Sequence, residues 1–188
     1  MRVIAGKCRS LPLKTVPGMN TRPTTDRTKE TLFNILQPYL AGCRFLDLFS
    51  GSGGIGIEAL SRGASFCCFV EQNRQALGCI RENLKFTKLE SQGRVLAVEV
   101  MQALDRLEGE PAFDCIFMDP PYNHEWEKKV LARLRKASYV SAETLIVVEA
   151  SLETAFSYLE EMGYRIIKEK KYKTNGHLFL RRLEGERE

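Results

Sequence analysis

A chain of 188 residues with 44% hydrophobic side chains, 28% charged side chains and a net charge of +4 has the makeup of one globular domain with a short appendage, not of a disordered or fibrous chain. No apolar run approaches the roughly 20 residues needed to cross a bilayer, and Met1 to Lys7 lacks the apolar core of a secretory leader, so a cytoplasmic protein is expected. Six cysteines form no C-x-x-C pair, and His124 and His177 are too few and too isolated to suggest a metal; the cysteines read as small buried hydrophobes in a reducing compartment.

Residues 2–16 alternate loosely around Pro12 and predict a short β-hairpin or arm. Asn20 to Thr25 is a turn-rich linker. Thr24 or Thr25 then caps a helix running to about Gln37, with Asp26 in its first turn and Leu32, Phe33, Ile35 and Leu36 as its apolar side. Pro38 is expected to stop it. This gives an N-terminal hairpin-and-helix extension over 1–40 and a main domain over 41–188.

From Cys43 the pattern alternates strand and helix. Strands are expected over 43–48, 66–70, 95–98, 113–118 and 144–148. Helices are expected after the glycine loop to Arg62, then over 73–86, 101–107, 125–137 and 152–162. Two further strands, 164–172 and 177–183, flank Lys173-Thr174-Asn175-Gly176, and Asn-Gly is a strong hairpin signal. Continuous apolar strands between helices predict an α/β fold, with a mostly parallel seven-stranded sheet that ends in an antiparallel hairpin.

Charge is unevenly placed. Residues 1–30 carry seven basic side chains against two acidic ones, and Arg165 to Arg182 carry seven against Glu169 alone. If the two ends meet in space, they form a basic face suited to phosphate backbones. Otherwise they are solvated surface strands.

Asp47-Leu48-Phe49-Ser50-Gly51-Ser52-Gly53-Gly54-Ile55-Gly56 holds G-x-G-x-x-G between the first strand and its helix. Alone it fits a nicotinamide or flavin site equally well. Glu71, 20 residues beyond Gly51, could bind both ribose hydroxyls of either cofactor class. Asp47 discriminates. A carboxylate there would repel a pyrophosphate, whereas S-adenosylmethionine has no phosphate and carries a cationic amino group and a sulfonium.

Asp119-Pro120-Pro121-Tyr122 follows the fourth strand, where ligands of open α/β sheets gather. Two prolines stiffen the turn. The Asp119 carboxylate and the Pro120 carbonyl could accept the two hydrogens of a nucleobase amino group, whose lone pair is otherwise delocalised into the ring. They would aim that lone pair at a methyl donor. An aspartate of ordinary pKa need only take the proton afterwards, and Tyr122 offers a ring for stacking.

The motifs resemble those of the RsmD family, bacterial 16S rRNA guanine-N2 methyltransferases. The resemblance rests on three segments, Arg22 to Asn34, Leu46 to Ala64 and Asp119 to Tyr122, with Arg2 to Gly6 fitting the family's start. It implies a Rossmann-like class I S-adenosylmethionine-dependent methyltransferase domain with a small N-terminal β-hairpin extension. It implies cofactor contacts from Asp47, Phe49, Gly51, Ser52, Gly53 and Glu71, and target-base contacts from Asp119, Pro120 and Tyr122. Arg22, Thr24, Arg27 and Pro121 are expected near the entering nucleotide. The implied partner is 16S rRNA in the small ribosomal subunit or an assembly intermediate, met by a monomer. Ser50 and Gly54 stand where the family often has Ala, small-for-small changes. Two other readings stay open: an amino-methyltransferase of adenine N6 or cytosine N4 in DNA or another RNA, and a non-catalytic RNA-binding or assembly protein with a vestigial fold. Without the resemblance, residues 22–34 read as a plainly capped amphipathic helix.

Overall fold

The computed structural model describes residues 1–17, 26–121 and 125–183. Seven strands form one sheet: β1 Arg44–Leu48, β2 Phe66–Glu71, β3 Gly93–Ala97, β4 Cys115–Met118, β5 Leu145–Ser151, β6 Tyr164–Lys171 and β7 Asn175–Arg182. Their order is β3-β2-β1-β4-β5-β7-β6. The first five pair in parallel, and β7 joins antiparallel to both β5 and β6. The helices are α1 Asp26–Leu40, α2 Gly54–Ser61, α3 Arg74–Phe86, α4 Val100–Arg106 and α5 Trp126–Leu134.

Strand alternation sends side chains to two cores. Phe45, Cys67, Phe69, Cys115, Phe117, Val147 and Phe179 pack under α1, α2 and α3. Leu46, Leu48, Cys68, Ile116, Met118, Ile146 and Val148 pack against α4 and α5. The chain runs from β1 outward to β3, then returns to β4 on the other side of β1. This reversal opens a crevice beyond the carboxyl ends of β1 and β4, where such sheets bind ligands.

The arm is a narrow hairpin with one bridge, Arg2 to Pro12, tied by Val3 donating to Leu11 and Ser10 to Val3. It lies against α2. Lys7 donates to the Ser61 carbonyl at 2.9 Å, and a Cβ on Gly6 would stand 1.9 Å from that oxygen, so only glycine fits there. Among the described residues, the N-terminal arm and β6 are set apart. The arm reaches α2 and α3, β6 lies at the far edge of the sheet, and α1 stands between them.

Three expected elements differ. Pro38 lies inside α1, which continues to Leu40. Leu36 and Leu40 are both buried, and Asn34, whose carbonyl loses its i+4 donor, is exposed to water. Residues 152–162 form turns rather than a helix, with Leu159 donating to Phe156 and Met162 to Tyr158. Leu159 alone in that segment is fully buried, too narrow an apolar stripe to hold a helix. Asn175-Gly176 opens β7, pairing with Ser151 and Ala150, while Lys173 and Thr174 make the turn. Glu149 recruits the Asn175 side chain at 2.6 Å and so draws it into the sheet.

Candidate active site

β1 delivers Asp47 to the α1–α3 side of the sheet, almost wholly buried. Its Oδ2 accepts the Gly56 N–H at 3.0 Å. Burial pushes its carboxyl up to about 7; the Gly56 hydrogen bond opposes this and the charge of Glu71 adds to it. Gly56 must lack a side chain, because a Cβ would stand 2.3 Å from the Phe69 ring and 2.6 Å from Cys67 Sγ.

The loop between β1 and α2 is built from left-handed residues: Phe49 (φ 60°), Gly51 (φ 54°) and Gly53 (φ 83°). A bulky side chain rarely adopts this conformation. Phe49 is held there by edge-on packing against Trp126, ring centroids 6.0 Å apart. Ser50 staples the loop to the sheet: its hydroxyl donates to the Asp47 carbonyl at 2.6 Å and accepts from Val70 N–H at 3.0 Å. Open space lies beyond Gly51, with nothing within 4 Å of where a Cβ would be.

Glu71 ends β2 with a carboxylate locked by three backbone amides. Gly51 donates to Oε2 and Gln72 and Asn73 to Oε1, each at 2.8 Å. The second carboxylate of the loop is thereby preorganised. The charge of Glu71 adds to the raised proton affinity of Asp47, and no described side chain makes an ion pair with either carboxylate. That donor set suits a cationic, hydroxyl-bearing, phosphate-free ligand.

Asp119 follows β4 on the same side of the sheet as Asp47, continuing the alternation through Cys115 and Phe117. Burial holds its carboxyl well above the ordinary carboxylate range, reinforced in turn by Glu149, Asp47 and Glu127. The expected ordinary aspartate is therefore a desolvated one, because the fold buries it, and the charges of three further carboxylates add to the shift. Pro120 is buried and Pro121 exposed. Arg27 is exposed on α1, whereas Tyr122, Arg22 and Thr24 lie outside the described residues.

Sequence reasoning missed several residues around this site. Glu149 on β5 is buried; its Oε1 accepts from Asn175, and its Oε2 lies 2.8 Å from Nε2 of the fully buried His177. Nδ1 of His177 meets the Tyr172 hydroxyl at 3.0 Å. His177 thus belongs to a buried polar chain. Its signal was a histidine directly before the apolar run Leu178-Phe179-Leu180. Asn83 on α3 was also missed: it accepts from Lys14 N–H at 2.8 Å and donates to the Lys14 carbonyl at 2.9 Å and the Ser52 carbonyl at 3.0 Å. Nothing in a helix pattern marks such a contact in advance.

Comparison with known proteins agrees with this geometry. The profile of the family described as Conserved hypothetical protein 95 matches residues 1–181. The ribosomal RNA small subunit methyltransferase D of Haemophilus influenzae is 34% identical over 171 residues, 90% of this chain and 88% of that protein. YlbH of Bacillus subtilis is 42% identical over 154 residues, covering 81% and 84%. The solved structure of yhhF from Escherichia coli matches with a TM-score of 0.83 at 31% identity, covering 97% of this chain and 98% of that one. The fold is that of the S-adenosylmethionine-dependent methyltransferases, and the chain belongs to the Conserved hypothetical protein 95 family, the RsmD family that its motifs resemble.

Proposed function

We propose that this protein transfers the methyl group of S-adenosylmethionine to the exocyclic N2 amino group of one guanine in 16S rRNA of the small ribosomal subunit. The observation that carries the reading is the placement of Asp47 and Asp119 on one side of the sheet, at the carboxyl ends of adjacent strands where the topology reverses. The relatives' names add rRNA of the small subunit as the substrate.

Glu71 would accept hydrogen bonds from the ribose hydroxyls of the cofactor, and Asp47 would face its cationic amino group. Phe49, Gly51, Ser52 and Gly53 would border the remainder, the glycines allowing backbone approach. When bound, the cofactor supplies a methyl group on cationic sulfur, with a thioether as leaving group. On the other side of the crevice, Asp119 and the Pro120 carbonyl would each accept one N2 hydrogen and turn the nitrogen lone pair toward the donor. As N2 becomes cationic, one proton passes to Asp119. Burial of Asp119, reinforced by the charges of Glu149, Asp47 and Glu127, raises its proton affinity and favours that transfer. Tyr122 would stack on the base, with Arg22, Thr24, Arg27 and Pro121 guiding the nucleotide in.

Unmodified 30S particles, free 16S rRNA and duplex DNA incubated with methyl-labelled cofactor test the reading. Label on guanine N2 of the rRNA, located by nuclease digestion and mass spectrometry, is expected. Label on DNA amino groups alone, or none anywhere, would sink it. Asp119→Ala should keep cofactor affinity by calorimetry and lower turnover by about 10²–10³-fold.

A further inference from the structure

Between α1 and β6 runs a groove of about 510 Å³, with Asn34, Ile35 and Tyr39 on one wall and Ile167, Lys168 and Lys170 on the other. β6 is the outermost strand, and seven of its eight residues are exposed. A β-bulge shapes the wall. Ile166 pairs with Leu180 and Lys168 with Phe179, so Ile167 is the extra residue and lines the groove beside Lys168. Ile167 is 44% exposed and Tyr39 39%. Apolar surface and cations thus share one trough.

Strand pairing links the groove to the candidate active site through the buried Glu149 and His177. Met118 pairs with Val148, which sets Asp119 beside Glu149; Glu149 pairs with His177, and His177 with Lys170. Asp119, Glu149, His177 and Lys170 form one row across four adjacent strands, about 14 Å from end to end at ~4.8 Å per strand. Lys168 and Lys170 make no ion pair with a described residue, whereas Lys171 pairs with Glu169 at 3.5 Å. Glu169 pairs with Leu178, on the opposite face of the strand from the groove.

We infer that the α1–β6 groove binds the single-stranded segment of the RNA substrate that flanks the target base, with phosphates on Lys168 and Lys170 and a base against Tyr39 and Ile167. This rests on the reading of the protein as an rRNA methyltransferase. Polyanion chemistry fits a cationic trough with an aromatic wall. A second copy of the chain fits poorly, because edge lysines of like charge oppose strand-to-strand pairing.

The test is a Lys168→Glu/Lys170→Glu variant beside Lys168→Arg/Lys170→Arg. Binding to transcribed 16S rRNA is titrated over a salt series, cofactor binding is followed by calorimetry, and mass is followed by sedimentation. In the Glu variant, RNA affinity should fall at least tenfold and the salt slope should flatten by about one to one and a half, two phosphate contacts at roughly 0.7 each. Cofactor affinity should hold, KM for the particle should rise more than kcat falls, and the Arg variant should match wild type. Wild-type affinity and slope in the Glu variant would overturn the groove assignment, as would a wild-type dimer that the Glu variant breaks without loss of RNA binding. A wild-type protein that binds and methylates no RNA would instead overturn the functional reading beneath it.

Discussion

The side-chain amide of Asn83, on α3, donates to the carbonyl of Ser52 in the glycine loop at 3.0 Å. The same carboxamide closes a two-way hydrogen-bonded pair with the backbone of Lys14 in the N-terminal arm. One buried side chain therefore fixes the cofactor loop and the base of the arm to the same helix.

Asn83→Ala removes three hydrogen bonds and leaves backbone groups of Lys14 and Ser52 without these partners. Stability should fall by about 1–3 kcal/mol in urea unfolding, and S-adenosylmethionine should bind several-fold more weakly. Lost stability with an unchanged dissociation constant would confine Asn83 to the scaffold.

Glu149 is held by Asn175 and His177 while its charge faces Asp119. A carboxyl raised by burial and by like charges stays protonated to higher pH, so turnover that needs the Asp119 carboxylate climbs as pH rises through its elevated pKa. Glu149→Gln removes one of three opposing charges, leaving Asp47 and Glu127. The acid limb of kcat against pH should move to lower pH, with the burial of Asp119 still holding it above the ordinary carboxylate range. An unmoved limb would assign that titration to another group.

Asp47 gives a stability signature in the protein without cofactor. Its carboxyl lies at about 7 in the folded chain, against an ordinary 3.8, so the folded state binds the extra proton. Stability from this group is therefore full at low pH and lost as pH rises from about 4 to about 7. Asp119, raised for similar reasons, acts in the same direction. Asp47→Asn should reduce the fall in melting temperature between pH 5 and pH 8 without abolishing it. A cationic ligand reverses the preference, so the wild-type affinity for S-adenosylmethionine should improve over the same range. A melting-temperature slope identical in the two proteins would refute the shift.

Glu58 is sealed beneath the arm. It accepts Ile4 N–H at 2.8 Å and Ala5 N–H at 3.0 Å, and pairs with Arg62 at 2.7 Å and with buried Lys29 at 3.4 Å. Glu58→Gln strands two buried cations and should cost about 3–5 kcal/mol in denaturant unfolding, with earlier tryptic cleavage in the arm. Adding Lys29→Met should recover part of the loss. Additive losses would mean that the two residues are not coupled.

The alternation of apolar strands with helices and the glycine loop between Asp47 and Gly56 are local patterns, and they were legible in the residues themselves. A strand, a tight turn and a helix cap are governed by neighbours a few positions away. The segment 152–162 misled because helical composition is not enough when only Leu159 finds a core to enter.

The long-range pairings belonged to the folded chain alone. Asn83 reaches Ser52 across 31 positions, Glu58 reaches Ile4 across 54, and Glu149 meets His177 because β7 inserts beside β5 ahead of β6. Strand order and register decided which carboxylates share one water-poor face, and that burial sets the proton affinities of Asp47 and Asp119. Desolvation depends on everything packed around a group, so no linear motif encodes it.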